Sequence, residues 1–376
     1  MGLLLPLVLC ALAVVTGATS PPGPDLPPIK PSPLLSRGCN DSDVLSFAGV
    51  ALEHINRDRK DGYVLRLNRV SDAREHRQAS GGTLYYLTLD VLETDCHVLS
   101  KKPWKECEGR PLHVSVYGQC KALLYMPQTT RILNTRAYNC TLRPVSSRKI
   151  HSMCPDCPTL RPIDVSNPEV LEAATESLAK YNNESTSKQY SLVKVTRASA
   201  QWVYGFSYSV EYLIKEEPCT KSEASCTLQS PNSEPVGLCI GSLSRKLRKT
   251  FVSVTCDFFE SQAPAPGGEN SAVNLPKVEE SQDKKAAPTD ASSTAVPKGF
   301  VQYLSDPETQ EGDPVEDFPV HLDLTTNHQR ENLGTSFPFM GPVRETLPVL
   351  PFPSKEHRSS ECPGPAEDPN PLLLPP

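Results

Sequence analysis

The residues of this sequence best suited to do chemistry from a fixed position form the run Cys154-Pro155-Asp156-Cys157-Pro158. Two cysteines three positions apart can close a very small disulfide ring. Pro155 fixes one φ angle inside that ring, and Pro158 stiffens the exit from it. Asp156 is then the side chain of the run that is left to do chemistry, at the tip of a rigid loop. Its carboxylate is a competent oxygen ligand for a metal ion.

A metal ion bound by another protein is the best candidate target for such a carboxylate. The catalytic zinc of a metalloprotease keeps one coordination position open for the attacking water. A carboxylate at about 2 Å from the zinc can displace that water and so remove the nucleophile. A small ring with two prolines is already ordered, so little entropy is lost on binding. The run therefore indicates a plug for an open zinc position, placed between two similar halves of the chain.

The same cysteine pair also has plainer interpretations. It could be a redox dithiol, half of a zinc site or a structural staple. A complete zinc site would need two more ligands nearby, and His151 is the only histidine close in the sequence. In a staple, Asp156 would be an ordinary turn residue, as an aspartate after proline often is. On the residues of the run alone, the staple and the inhibitory loop both stay open.

The start of the chain predicts the compartment. Residues 3–15 are a short apolar run followed by small residues, which is typical of a secretory signal peptide over residues 1–18, although no basic side chain precedes it. No later stretch is long enough to cross a bilayer, so we expect a secreted protein with no membrane contact. Cys10 leaves with the signal, and an even number of the 13 cysteines remains, which favours disulfides. Three N-glycosylation sequons, at Asn40, Asn139 and Asn183, also agree with secretion.

Composition and motifs exclude several classes of function. The net charge of −6 gives no reason to expect nucleic acid as a partner. The chain lacks the His-Glu-x-x-His and Gly-x-Ser-x-Gly motifs, and its cysteines are most economically all paired. We therefore expect a protein that is not an enzyme, needs no cofactor and works as a monomer.

An internal repeat supplies the elements that must position the loop. Apolar residues at helical spacing lead up to Asn56 in the first copy and to Asn182 in the second, where Ser166 and Asn167 are the cap candidates and Pro168 follows in the first turn. Alternating apolar residues then predict strands around Leu87 in the first copy and around Val210 in the second. The longer alternating runs are Tyr85, Leu87, Leu89 and Val91, and Phe206, Tyr208, Val210, Tyr212 and Ile214. Each copy is therefore an α+β unit with one helix and an antiparallel sheet.

Cysteines follow the strands in both copies with matching order. The simplest pairing is sequential and gives Cys96–Cys107, Cys120–Cys140, Cys219–Cys226 and Cys239–Cys256. Cys39 and Cys362 are left over and are expected to pair, which would tie the tail back to the start. Spacing alone leaves other connectivities possible.

Beyond about residue 261 the composition changes. Half of the chain's 38 prolines fall in this stretch, together with Gly, Ser and Glu and few aromatic residues. Such a segment cannot bury enough apolar surface to offset its ordering entropy, so we expect it to be largely extended or disordered.

One helix followed by antiparallel strands, twice, in a secreted chain resembles tandem cystatin domains of the fetuin family. The resemblance is specific at 37–41 (Arg-Gly-Cys-Asn-Asp), at 87–99 (Leu-Thr-Leu-Asp-Val-Leu-Glu-Thr-Asp-Cys-His-Val-Leu) and at 154–158. It divides the chain into a signal peptide (1–18), an N-terminal segment (19–37), domain 1 (38–150), a linker (151–161), domain 2 (162–260) and a Pro-rich C-terminal region (261–376). It also implies the Cys39–Cys362 bond and the Cys154–Cys157 bond within the linker.

For function, the resemblance implies inhibition of astacin-family zinc metalloproteases by the linker carboxylate, Asp156. The implied targets include the egg protease that hardens the zona pellucida, so the implied biological role lies in fertilisation.

A second motif supports a different class of target. The run Gln201-Trp202-Val203-Tyr204-Gly205 matches the Gln-x-Val-x-Gly hairpin that cystatins insert into papain-like cysteine proteases. Those inhibitors also use a Pro-Trp pair in a later hairpin, and residues 241–246 of this chain contain no such pair. Cysteine-protease inhibition is therefore the alternative function, and the run is also a candidate for secondary contacts with a metalloprotease.

A third interpretation is a mineral or calcium carrier, as in related fetuins. Asp90, Glu93 and Asp95 would supply carboxylates on the first sheet. Acidic residues on a sheet are more often simply solvated.

Overall fold

The structure of the chain is a computed structural model that describes residues 33–78, 81–157, 160–186, 188–202, 205–217, 234–246, 249–259, 298–304, 336–339, 345–354 and 358–375. Its elements form two successive units, and each packs one long helix on an antiparallel sheet. This arrangement confirms the predicted α+β class. In the part of the chain described, no helix is both long and apolar enough to cross a membrane.

The first unit begins with a short edge strand and one helix. Its elements are β1 (Leu35–Ser36), α1 (Ser42–Asp58), β2 (Tyr63–Gln78), β3 (Gly82–His97), β4 (Val116–Pro127) and β5 (Asn134–Pro144), with 3-10 turns at Val98–Ser100, Trp104–Glu106 and Leu112–Val114. The strands lie side by side in chain order. The helix buries Ala48, Leu52 and Ile55 against Leu87 and Leu89 of the sheet. The alternating residues of the sequence are thus one buried face, as predicted.

The second unit repeats this plan after a short helix. Its elements are α2 (Ser147–Met153), β6 (Arg161–Pro162), α3 (Pro168–Glu184), β7 (Tyr190–Trp202), β8 (Phe206–Glu216), β9 (Gly237–Lys246) and β10 (Lys249–Phe258), and the sheet order is β10-β9-β8-β7-β6. The predicted helix start is confirmed, because the Asn167 side chain accepts a hydrogen bond from the Glu169 amide at 2.9 Å and Pro168 opens the first turn.

The repeat extends to individual hydrogen bonds. Near the end of each long helix an asparagine side chain pairs with both backbone groups of a residue in the following strand. Asn56 exchanges two bonds of 2.8 Å with Leu65, and Asn182 exchanges bonds of 2.8 and 3.0 Å with Tyr190. In both units this pairing sets how the helix meets the strand that follows it.

Parts of the C-terminal region pack on the first unit, which composition did not predict. The strand β11 (Lys298–Tyr303) pairs in parallel with β5 at the sheet edge, and β12 (Ser336–Phe339) pairs with β13 (Glu345–Pro348). Val349 and Phe352 pack on Tyr86 and other residues of the sheet face opposite α1. Residues 358–375 then run past β2 and end in a 3-10 turn, Pro371–Leu373.

Five disulfides hold this arrangement in the described residues. They are Cys39–Cys362, Cys96–Cys107, Cys120–Cys140, Cys154–Cys157 and Cys239–Cys256. The first joins positions 323 residues apart and so attaches the tail to the start of the first unit. The predicted Cys219–Cys226 pair lies outside the described residues.

Candidate functional site

The loop that carries Asp156 continues directly from α2. The Ser146 hydroxyl caps this helix by accepting a hydrogen bond from the Lys149 amide at 3.3 Å. At the other end, the Cys154 amide donates to the Ile150 carbonyl at 2.8 Å and closes the last turn. Ile150 is buried against the first unit, so the helix delivers the loop at a fixed place.

The ring is a tight turn that is closed twice. The Cys157 amide donates to the Cys154 carbonyl at 3.1 Å, and the disulfide joins the same two residues with their Cα atoms 5.3 Å apart. Pro155 and Asp156 occupy the two central positions, and both are exposed. Pro158 lies outside the described residues.

The chemical capacity of this loop is that of an available carboxylate. Within the described part of the chain, Asp156 makes no hydrogen bond or ion pair, so its oxygens are free to bind an external group. Among the same residues, no group of three or more His, Cys, Asp or Glu side chains is arranged to hold a metal ion. A metal that Asp156 binds would therefore have its other ligands on a partner.

An exposed aromatic pair marks the hairpin between β7 and β8. Trp202 is 67% exposed and Phe206 is 55% exposed, and their rings meet edge to face with centroids 4.7 Å apart. The sequence grouped Phe206 with the buried residues of its strand, and this was wrong. Phe206 is the first residue of β8, beyond the cluster that α3 covers.

The turn of this hairpin requires a glycine. Gly205 has a φ of +144°, and a Cβ there would lie 2.2 Å from the Arg245 carbonyl oxygen of the neighbouring strand β9. Gln201 is half-buried on β7, while Val203 and Tyr204 lie outside the described residues.

The length of the linker limits how far the ring can lie from the hairpin. Arg161 of β6 pairs with Ala200 of β7 in antiparallel register, and Ala200 is two residues before Trp202. Cys157 is four residues before Arg161 and can be at most about 14 Å from it. Asp156 and Trp202 are therefore close enough to reach one partner surface.

Buried charges connect the two units. Glu211 of β8 accepts two hydrogen bonds from the Arg110 guanidinium, at 2.9 and 3.1 Å, and a further one from the Tyr63 hydroxyl. The Arg110 guanidinium also lies 4.0 Å from the Tyr63 ring centroid. Although burial opposes ionisation, hydrogen bonds from Arg110 keep the pKa of Glu211 below its usual value.

A second buried carboxylate extends this network to the tail. Glu93 of β3 accepts hydrogen bonds of 2.5 Å from Arg197 of β7 and from the hydroxyl of Tyr303 on β11. Beside Tyr63, the His97 ring is buried and stacks on Phe259, and burial lowers the pKa of His97 to about 4. The relative placement of the two units thus depends on three separate parts of the chain.

These contacts correct the interpretation of the acidic residues as solvated. Asp90 is 0% exposed and is bound by Arg69 at 2.5 Å and by Gln119 at 2.9 Å. Glu93 is 1% exposed and accepts hydrogen bonds from Arg197 and Tyr303, whereas Asp95 is exposed. Two of the three carboxylates are therefore unavailable to calcium or mineral.

The three sequons differ in accessibility. The asparagines Asn40 and Asn183 are exposed, as an attached glycan requires. Asn139 is 2% exposed in the middle of β5, between β4 and β11. Asn139 is thus far less accessible than the other two asparagines, and glycosylation at all three stays a prediction.

The chain is similar to known proteins over its whole length. The family model described as "Cystatin domain" matches residues 35–128 and 158–246. Human fetuin-B is 66% identical over 385 residues, covering 100% of both chains. Mouse fetuin-B in complex with crayfish astacin is similar with a TM-score of 0.69 and 49% identity, over 92% of this chain and 98% of that one.

Mouse fetuin-B in an inhibitory complex with human meprin beta is also similar, with a TM-score of 0.70 and 50% identity over 90% of this chain and 99% of that one. These likenesses extend over both units, the linker and most of the tail. With two cystatin domains and this full-length similarity, the chain belongs to the fetuin-B family.

Proposed function

We propose that this chain inhibits astacin-family zinc metalloproteases and that Asp156 binds the catalytic zinc of the target. The observation that carries the proposal is an exposed carboxylate that has no partner among the described residues and is held at the tip of a disulfide-closed turn. The similar mouse protein forms complexes with crayfish astacin and human meprin beta, which supports the same class of target here.

The mechanism follows from the ligand that Asp156 replaces. In the free protease, a water molecule occupies the open zinc position and becomes the nucleophile. A carboxylate bound there excludes the water while the rest of the protease stays intact. Because the turn is closed by both a hydrogen bond and a disulfide, little conformational entropy remains to be lost on binding. Trp202 and Phe206 at the neighbouring hairpin add apolar contact beside the cleft.

A direct comparison of two protease classes tests this function. The same preparation is titrated against an astacin-type and a papain-type protease. We expect tight inhibition of the first and weak or no inhibition of the second. Tight inhibition of the papain-type enzyme alone would favour the alternative, a cystatin-type inhibitor that works through residues 201–205.

The role of the ring predicts the effect of opening it. In a Cys154→Ser/Cys157→Ser double variant, Asp156 is retained but the turn must be ordered on binding. We expect inhibition about 10- to 100-fold weaker, since ordering each backbone residue costs about 1–2 kcal/mol. The inhibition constant and cleavage of the linker by the protease are measured together.

A second double variant is the control for that experiment. Cys96→Ser/Cys107→Ser removes another short-range disulfide of the first unit and leaves the ring closed. If the ring variant kept wild-type potency and resisted cleavage, the ring would be only a staple.

The exposed hairpin predicts a smaller effect. Trp202→Ala should weaken inhibition of the astacin-type protease by about tenfold, because an aromatic side chain at the rim contributes contact area but does not exclude the water. Val193→Ala is the control, because Val193 is also exposed on β7 but lies about 30 Å from the hairpin at the usual rise per residue. An effect of Trp202→Ala as large as that of removing Asp156 would contradict this ranking.

For the biological setting, we infer a secreted inhibitor with no catalytic activity of its own. The signal peptide and the exposed sequons at Asn40 and Asn183 support secretion. A secreted inhibitor of this kind could act in fertilisation by preventing premature hardening of the zona pellucida. This role is tested by using the zona-hardening protease of the egg as the target in the inhibition assay, and we expect inhibition.

A further inference from the structure

The last residues of the chain run along the first unit after the Cys39–Cys362 bond. The Gly364 amide donates to the Val70 carbonyl at 2.9 Å, and the Glu367 amide donates to the Asn68 carbonyl at 2.8 Å. The Asn68 side chain also pairs with the backbone of Asp368, by bonds of 2.8 and 3.1 Å. The strand β2 shifts register at this place, which leaves its backbone groups available to the tail.

The tail then turns inward and contacts β4. The Asn370 side chain accepts a hydrogen bond from the Leu372 amide at 3.0 Å and caps the turn Pro371–Leu373. Leu373 is 4% exposed, and it belongs to one buried cluster with Ile150 of α2, Val145 and Leu92. Cys157 of the ring and Leu372 pack against the same cluster.

The helix α2 needs this cluster. It has seven residues, and an isolated helix of that length does not hold together in water. Its position must therefore come from the packing of Ile150, its one buried residue among Ser147–Met153. Leu373 lies in that packing, so the end of the chain helps to hold the helix that delivers the ring.

We propose that Leu373 is a positioning residue for inhibition, which acts through Ile150 and α2 to hold the ring of Asp156 in place. The proposal rests on the proposed function of Asp156. It assigns a role to the turn Pro371–Leu373, and it implies that loss of this turn would weaken the inhibitor.

The test starts with Leu373→Ala in the full chain. We expect inhibition of the astacin-type protease about tenfold weaker, which corresponds to about 1.4 kcal/mol. Leu373→Met should restore most of the potency, because it keeps the buried volume. Leu374→Ala is the control, since Leu374 is the next residue but is only half-buried and lies outside the cluster.

Two further measurements separate positioning from general stability. Amide hydrogen exchange at Cys154 and Cys157 in the free protein should speed up in Leu373→Ala, while exchange in α3 stays unchanged. The second is a double-mutant cycle with Asp156→Ala, with binding to the protease as the readout. If Leu373 acts through the carboxylate, its tenfold effect should vanish once Asp156 is gone.

Each result decides one point. Unchanged exchange at the ring, unchanged inhibition by Leu373→Ala, or a Leu373 effect that persists without Asp156 would each overturn the positioning role. Full inhibition by the single variant Asp156→Ala would instead overturn the proposed function. Because this result comes from a variant that retains Leu373, the two failures can be told apart.

Discussion

Replacement of Asp156 with alanine is expected to weaken inhibition of an astacin-type protease by about 100-fold or more. Loss of a charged partner at a desolvated contact costs about 2–5 kcal/mol, and 100-fold corresponds to about 2.7 kcal/mol. The physical reason is that the zinc regains its water and with it the nucleophile. The variant should fold normally, because Asp156 is exposed and supports no packing in the described structure.

Two variants and one assay complete this experiment. Asp156→Asn keeps the size of the side chain and removes the charge, so it should lose nearly as much inhibition as the alanine variant. Glu176→Ala removes an exposed carboxylate from the outer face of α3 and should inhibit like the wild type. Thermal unfolding establishes that all three are folded. Undiminished inhibition by folded Asp156→Ala would remove the carboxylate from the mechanism.

The second large effect is expected on stability, from Glu211→Ala. Glu211 binds the buried Arg110 guanidinium through two hydrogen bonds and also accepts from Tyr63. Removal of this carboxylate leaves the Arg110 charge buried without its partner. Breaking a buried pair in this way costs about 3–5 kcal/mol in the free energy of unfolding.

Denaturant unfolding measures this loss, and the same strand offers a control. Glu216 also lies on β8 and is ion-paired at 2.8 Å with Lys188, but both side chains are about half exposed. Glu216→Ala should therefore change the stability only slightly. Equal effects of the two variants would show that the contact between the units contributes no more than a surface pair.

Much of the fold could be predicted from periodicity and cysteine order. Helical spacing around Leu52 and the cap at Asn167 predicted the two long helices, because these signals are local. Alternation around Leu87 predicted the buried face of the first sheet for the same reason. Phe206 shows where local periodicity fails, since exposure at the end of a strand depends on how far the covering helix extends.

The loop chemistry was also a local property of the sequence. Two cysteines three residues apart with a proline between them dictate a small closed turn, and Asp156 is the reactive group left in it. The sequence could not show whether the rest of the protein would use that carboxylate. Its exposure, and its lack of a partner among the described residues, are results of the tertiary structure.

Contacts between distant parts of the chain were decided by the tertiary structure alone. Asp90 and Glu93 read as surface acids in the sequence, yet both are buried with partners, because Arg69 and Arg197 reach them only in the folded chain. Leu373 stands in a Pro-rich tail that composition marks as disordered. Its burial in the cluster that contains Ile150 becomes possible once the disulfide to Cys39 has brought the tail to the first unit. A local pattern determines helices, strands and turns, whereas burial depends on which distant segments meet.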